Sequence, residues 1–282
     1  MYKKIIRKVR VQTIHLKTSS LHDLTPANLS VIVAPHPDDE VFGCGGAIIR
    51  HVAQGDVVST ILVTDGAAAT SHQDKAAKQR YIAARYAESV AAAKVLGYQD
   101  IQTWGMSDRT LVCDVASIQR AIDAIRATGA THIYAPSVFE IHPDHVALAE
   151  IAIAAVIATQ TILVMYEVGV PLHPNRLLDT TAIQHQKTQA MHCFGSQTQL
   201  NNYIDVVASL NRFRTYTLPP TVQFAEGFYQ VSGTDLRDTP ILRYGKTRQT
   251  EAMLAQAAVL ANPPRAWWQR LLAQKRKSKT VL

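Results

Sequence analysis

Five short runs are apolar or β-rich almost throughout: SVIVA (30–34), VVSTILVT (57–64), IQTWG (101–105), THIYA (131–135) and TILVMYE (161–167). A strand with one wet face alternates polar and apolar residues, whereas near-continuous runs need cover on both faces, as in a parallel sheet. The stretches between them supply that cover. Residues 46–55, 79–97, 115–129 and 144–160 have helical spacing, and Gly97 and Gly129 stand where helices stop. This alternation predicts an α/β fold, a Rossmann-like three-layer sandwich with a mostly parallel sheet. Residues 182–215 read as mostly helical and 216–250 as a less regular closing segment. With no internal repeat and no low-complexity linker, one domain is expected over residues 1–282, its core at about 28–235, with basic extensions at both ends.

The formal charge of +7 is unevenly spread. Six Lys/Arg fall in residues 1–17 and six in 265–282, with no acid in either segment. The body between them holds the other 17 basic residues and all 22 acids, a net charge of −5. A nucleic-acid groove would need positive charge across the body, so nucleic acid is excluded as its partner. No apolar run approaches the ~20 residues of a membrane-spanning helix. The basic N-terminus has no apolar core or cleavage site of a secretory signal, and Cys44, Cys113 and Cys193 lack metal-type spacing. They read as reduced thiols in a cytoplasmic protein. The C-terminal PPRAWWQRLLAQKRKSKTVL pairs adjacent tryptophans and leucines with basic residues. Peripheral attachment to the inner face of a membrane is the expectation for that composition, and a helix docked on the body is the alternative.

The chemistry gathers after the first strand, in VIVAPHPDDEVFGCGG (31–46). Gly43, Gly45 and Gly46 fit neither a phosphate loop nor a dinucleotide fingerprint, and read as a tight turn feeding a helix. Asp38, Asp39 and Glu40 repel one another, and a divalent cation would remove that repulsion. One histidine nitrogen and one carboxylate oxygen from this loop, with a histidine nitrogen from elsewhere, make three ligands and leave a fourth position open on zinc. HPDH (142–145), after the fourth strand, supplies the missing nitrogen. Solvated loop acids are the alternative on residue chemistry alone. No GxSxG elbow is present, and Cys193 beside His192 lies in a helix that reads as structural.

HPDDE followed by a distal HPDH resembles the PIG-L/LmbE-like family of zinc-dependent amino-sugar N-deacetylases. RYAESVAAAKVLG (85–97), WGMSD (104–108), KTQAMHCFGSQ (187–197) and QFAEGFY (223–229) resemble further segments of that family, and Phe194 departs from it where many members have His. The resemblance implies that His36, Asp39 and His145 ligate Zn2+. It implies Asp38 as general base toward the attacking water and His142 as acid or electrostatic partner of the oxyanion. It further implies Arg85 and Asp108 as sugar-binding residues and Glu40 as a structural acid. The implied substrate is a small-molecule or lipid-linked amino sugar that loses an acetyl group. A zinc amidase acting on a larger N-acyl group, or a sugar-binding protein without turnover, are the alternatives.

Overall fold

The computed structural model describes residues 29–236. The basic N-terminal segment, the tryptophan-containing tail and residues 237–250 of the expected closing segment lie outside the described residues.

Strands β1 (Leu29–Ala34), β2 (Val57–Thr64), β3 (Asp100–Met106), β4 (His132–Pro136) and β5 (Ile162–Tyr166) match the five apolar runs within a residue or two. They pair in parallel, and the sheet is completed by β7 (Ala225–Ser232), antiparallel to β5, and by β6 (Arg176–Asp179), which pairs antiparallel with β7 and so runs in the direction of the first five. The order across the sheet is β3-β2-β1-β4-β5-β7-β6. Alternate residues of β1 serve opposite faces: Val31 and Val33 join one buried cluster, Ile32 the other. On the first face pack α3 (Val115–Thr128) and α4 (Pro143–Thr159), and on the second pack α1 (Asp39–Gln54), α2 (Lys75–Leu96), α5 (Gln184–Met191) and α7 (Tyr203–Phe213), with the short α6 (Gly195–Thr198) before α7. The fold is the expected three-layer, Rossmann-like α/β sandwich.

Helix ends follow their sequence signals. Asp114 and Ser117 form a reciprocal capping box at the start of α3. Gly97 closes α2 at φ 92°, a left-handed conformation that glycine adopts without steric cost.

The glycines after HPDDE are not a turn. They lie inside α1, which begins at Asp39 and kinks at Cys44 (φ −141°, ψ 25°). Their role is close approach: a Cβ on Gly43 would stand 2.3 Å from the Tyr166 ring, and one on Gly46 would stand 2.5 Å from Thr180. The kink leaves the amides of Gly46 and Ala47 to be satisfied from outside the helix. Glu226 on β7 accepts both, at 2.7 and 2.9 Å. Lys187 on α5, fully buried, neutralises that carboxylate at 2.7 Å and also donates to Asn211 at 3.1 Å. Thus two residues from the resembling segments 187–197 and 223–229 meet to cap the second half of α1.

Strand order places the chemistry. The chain winds from β1 outward through β2 and β3, then returns to β4 on the other side of β1. Ligands of open parallel sheets bind beyond the carboxyl ends of strands where the winding reverses. HPDDE leaves β1 and HPDH follows β4, so the two motifs flank that crevice.

Candidate metal centre

Past Ala34 the chain turns sharply. Thr64 ties the turn to β2 through Pro35, whose carbonyl accepts its amide at 2.9 Å and its hydroxyl at 2.8 Å. The His36 amide donates to Asp39 Oδ2 (3.0 Å), and the Asp38 amide donates to Glu40 Oε2 (2.9 Å). Asp38 sits at φ 138°, a conformation that non-glycine residues adopt at a cost of about 1–3 kcal/mol and that clusters at functional sites. HPDH opens α4, with His142 as N-cap and Pro143 in the first turn.

Three donor atoms converge. His36 Nδ1 and Asp39 Oδ2 are 3.2 Å apart, His145 Nε2 and Asp39 Oδ2 3.2 Å, and His145 Nε2 and His36 Nδ1 3.3 Å. A tetrahedral ion with bonds of about 2.0–2.1 Å spaces its ligand atoms about 3.3 Å apart, so the triangle fits one face of such a coordination shell. Two other groupings could also hold a cation, within a looser 4.8 Å: His36 with His142 and His145, and His36 with Asp108 and Asp144. The members that these groupings add to His36 and His145 also hold backbone amides. Asp144 accepts the amides of Arg109 (2.6 Å) and Leu111 (3.2 Å), Asp108 accepts that of Ala68 (2.8 Å), and His142 Nδ1 accepts that of Asp144 (3.2 Å).

Asp144 and Asp108 face the far nitrogen of His36, at 3.3 and 3.2 Å from Nε2. That arrangement orients the ring and makes Nδ1 a better donor. Glu140 stands 3.6 Å from His145 Nδ1, beyond hydrogen-bond length, and is itself held by the amides of Val168 and Gly169. Asp144 and Glu140 escape sequence reasoning that looks only for ligands. The signal for Asp144 lay within HPDH itself.

The cluster demands positive charge. Burial would lower the His36 and His145 pKa values, but the carboxylates around them win. His36 is raised well above its usual value by Asp108, Asp144 and Asp39, and His145 is pushed up to about 9 by Asp39 and Glu140. Burial likewise works against ionised Asp39, yet His145 and His36 hold it far below the carboxylate range. Without a cation, protons stand where one would. Asp38 is raised to about 7, because burial outweighs the opposing Arg85 charge.

A stability consequence follows with a definite sign. His145, ordinarily near 6.5, titrates near 9 in the metal-free fold. Its contribution is complete below pH 6.5 and lost as pH rises through about 9, and His36 acts in the same direction. A bound cation replaces these protons. Added metal is therefore expected to raise the unfolding temperature more at pH 9 than at pH 6.5, read by thermal scans with chelator and with added zinc. A larger effect at pH 6.5 would contradict the assignment.

Arg85 and Asp108, the expected sugar-binding residues, line the cavity over the cluster and also hold protein partners. Arg85 is 2% exposed, donates to Gly66 O at 2.7 Å and to Asp38 Oδ2 at 2.9 Å, and also reaches the Pro37 carbonyl. It fixes the aim of Asp38. Asp108, lowered to about 2 by His36 against the effect of its burial, supports the His36 ring. Glu40 accepts Ser89 Oγ at 2.9 Å and holds the Asp38 amide, as a structural acid does. Phe194 is fully buried against Phe42, and His51 is a core residue paired with Asp56 and Tyr134. A cavity of about 350 Å³ opens over the cluster, lined in part by Phe42, Ile141, Gln197, Leu200 and Tyr203.

Fold and site together define a class: an α/β protein with a His/Asp cluster able to coordinate a divalent metal at its sheet switch point. The PIG-L family, described as GlcNAc-PI de-N-acetylase, matches residues 31–156. The chain has the PIG-L/LmbE-like fold, with a His/Asp cluster consistent with a zinc-binding deacetylase family. It is 29% identical over 136 residues to a probable N-acetyl-α-D-glucosaminyl L-malate deacetylase 2 of Bacillus anthracis, covering 46% of this chain and 59% of that protein's length. Over 236 residues it is 24% identical to the 4-oxalmesaconate hydratase of Pseudomonas putida, covering 73% of this chain and 90% of that one. The N,N'-diacetylchitobiose deacetylase of Pyrococcus horikoshii superposes with a TM-score of 0.68 at 21% identity, covering 83% of this chain and 94% of that structure. This last likeness is one of fold.

Proposed function

We propose that the protein is a zinc-dependent deacetylase that removes the N-acetyl group from an amino sugar or its conjugate, whether glycolipid, nucleotide sugar or glycoside. The observation that carries the reading is the triangle of His36 Nδ1, Asp39 Oδ2 and His145 Nε2, with sides of 3.2–3.3 Å, beside a buried Asp38 that is not part of it. These three atoms would hold the ion. Zinc supplies, when bound, a water of strongly lowered pKa and a Lewis acid for the amide carbonyl.

The chain's own groups do the rest. Asp38, aimed by Arg85, takes a proton from the attacking water. His142 accepts the Asp144 amide at Nδ1, so its neutral ring carries the proton on Nε2. Burial and the neighbouring His36 and His145 lower its pKa, favouring that neutral donor. From Nε2 it donates a hydrogen bond to the developing oxyanion, and the proton that Asp38 took from the water passes to the departing amine nitrogen as the C–N bond breaks. The acidic cluster thereby divides its work: Asp39 binds, Asp38 abstracts and Glu40 supports.

The Pseudomonas putida relative favours a second reading, in which the same site adds water without cleaving an amide. Acetate release from a panel of N-acetylated sugars by zinc-loaded protein decides. Release is expected; an active protein that releases none, or that cleaves only larger N-acyl groups, would replace the proposal. The free Cys44, Cys113 and Cys193 support a cytoplasmic setting. The basic ends, outside the described residues, support peripheral contact with the inner membrane face, which suits a lipid-linked sugar. Co-sedimentation with anionic but not neutral vesicles is the expected result for that contact. Among the described residues no helix is long and apolar enough to cross a membrane.

A further inference from the structure

Arg109 stands at φ 65°, in the left-handed region, immediately after Asp108. The site requires that backbone: the Arg109 amide donates at 2.6 Å to Asp144, which holds His36 Nε2. Glycine would deliver the same amide without strain, and an arginine adopts the conformation only at a cost. Nothing structural compensates. The Arg109 side chain is exposed and, among the described residues, forms no ion pair, side-chain hydrogen bond or ring stack, whereas Arg85, Arg120 and Arg214 each have one. It nevertheless lines the cavity over the metal centre. The other lining arginine, Arg85, is buried with both terminal amino groups engaged. Among the described residues Arg109 is therefore the one lining Arg or Lys with both terminal amino groups open, in a cavity whose other charged groups are mostly acids.

We propose that Arg109 is a specificity residue that binds an anionic substituent of the substrate, a phosphate or carboxylate attached to the amino sugar. A planar guanidinium matches either group with two parallel hydrogen bonds. The proposal rests on the deacetylase reading for the identity of the sugar. It does not rest on that reading for the charge preference.

The test compares zinc-loaded full-length protein with Arg109→Gly and Arg109→Lys. The probes are N-acetyl-α-D-glucosamine 1-phosphate, the N-acetylglucosaminide of glycolate, and neutral methyl N-acetylglucosaminide. The wild type is expected to prefer one anionic probe, and which one identifies phosphate or carboxylate. In Arg109→Gly the anionic-to-neutral ratio of kcat/KM should fall about 10- to 100-fold, mainly through KM, while Arg109→Lys restores part of it. The glycine variant should unfold at the same or a higher temperature, so misfolding cannot explain the loss. An unchanged ratio overturns the proposal. If no probe is cleaved, the deacetylase reading fails separately, and ligand-induced shifts in unfolding temperature decide. A larger shift by an anionic probe in wild type than in Arg109→Gly upholds the arginine's role, and equal shifts reject it.

Discussion

Asp38→Asn protein is expected to purify with its metal and to turn over substrate about 10²–10⁴-fold more slowly. The separation of the two effects comes from geometry. Asp38 lies outside the triangle of donor atoms, and its carboxylate faces Arg85 at 2.9 Å. Asparagine keeps an oxygen for that contact and almost the same size and shape as aspartate, so the loop is retained. What is lost is a base whose pKa, raised by burial and opposed by Arg85, lies at about 7. Such a group is poised to take a proton near neutral pH. Steady-state kinetics beside elemental analysis of the same preparation measures both halves, and near-normal turnover would remove Asp38 from the mechanism.

The second large effect is on stability. Lys187→Met should lower the free energy of unfolding by about 3–5 kcal/mol, the usual cost of leaving half of a buried ion pair. Lys187 and Glu226 are both fully buried, and Glu226 is additionally bound to the amides of Gly46 and Ala47. Without the lysine, that charge loses its counterion at the point where α1 restarts after its kink. The double variant Lys187→Met/Glu226→Gln should recover part of the loss, because the glutamine removes the stranded charge and keeps an acceptor for the amides. Denaturant unfolding of the two singles and the double reads the coupling. Additive effects would show that the pair does not act as a unit.

The two predictions also show what the sequence discloses. β1, β2, β4 and β5 were legible because each is covered on both faces and so carries a nearly unbroken apolar run, whereas β3, a largely exposed edge strand, was legible only from its β-favouring residues. β6, only RLLD at residues 176–179, carries no such run. The motifs HPDDE and HPDH were legible by residue type and by position after strands, while the choice of Asp39 over its neighbours came only with the family resemblance. The start of α1 was not, since glycines suggest turns unless the ring of Tyr166 and the side chain of Thr180 are known to press against them. Nor was the task of Arg85: an arginine on a helix could reach a sugar or a carboxylate, and only the fold shows Asp38 within 2.9 Å. Partner choice among charged residues is a tertiary fact. The same holds for Lys187 and Glu226, 39 residues apart in sequence and 2.7 Å apart in space.

The central claim, that His36, Asp39 and His145 form one zinc site with Asp38 beside it, is tested most directly by metal stoichiometry. Protein purified without chelator should contain about one zinc per chain, as three-ligand catalytic sites do. His145→Ala should lose it, and Asp38→Asn should keep it. Full zinc in His145→Ala, or zinc lost from Asp38→Asn with the fold intact, would contradict the account.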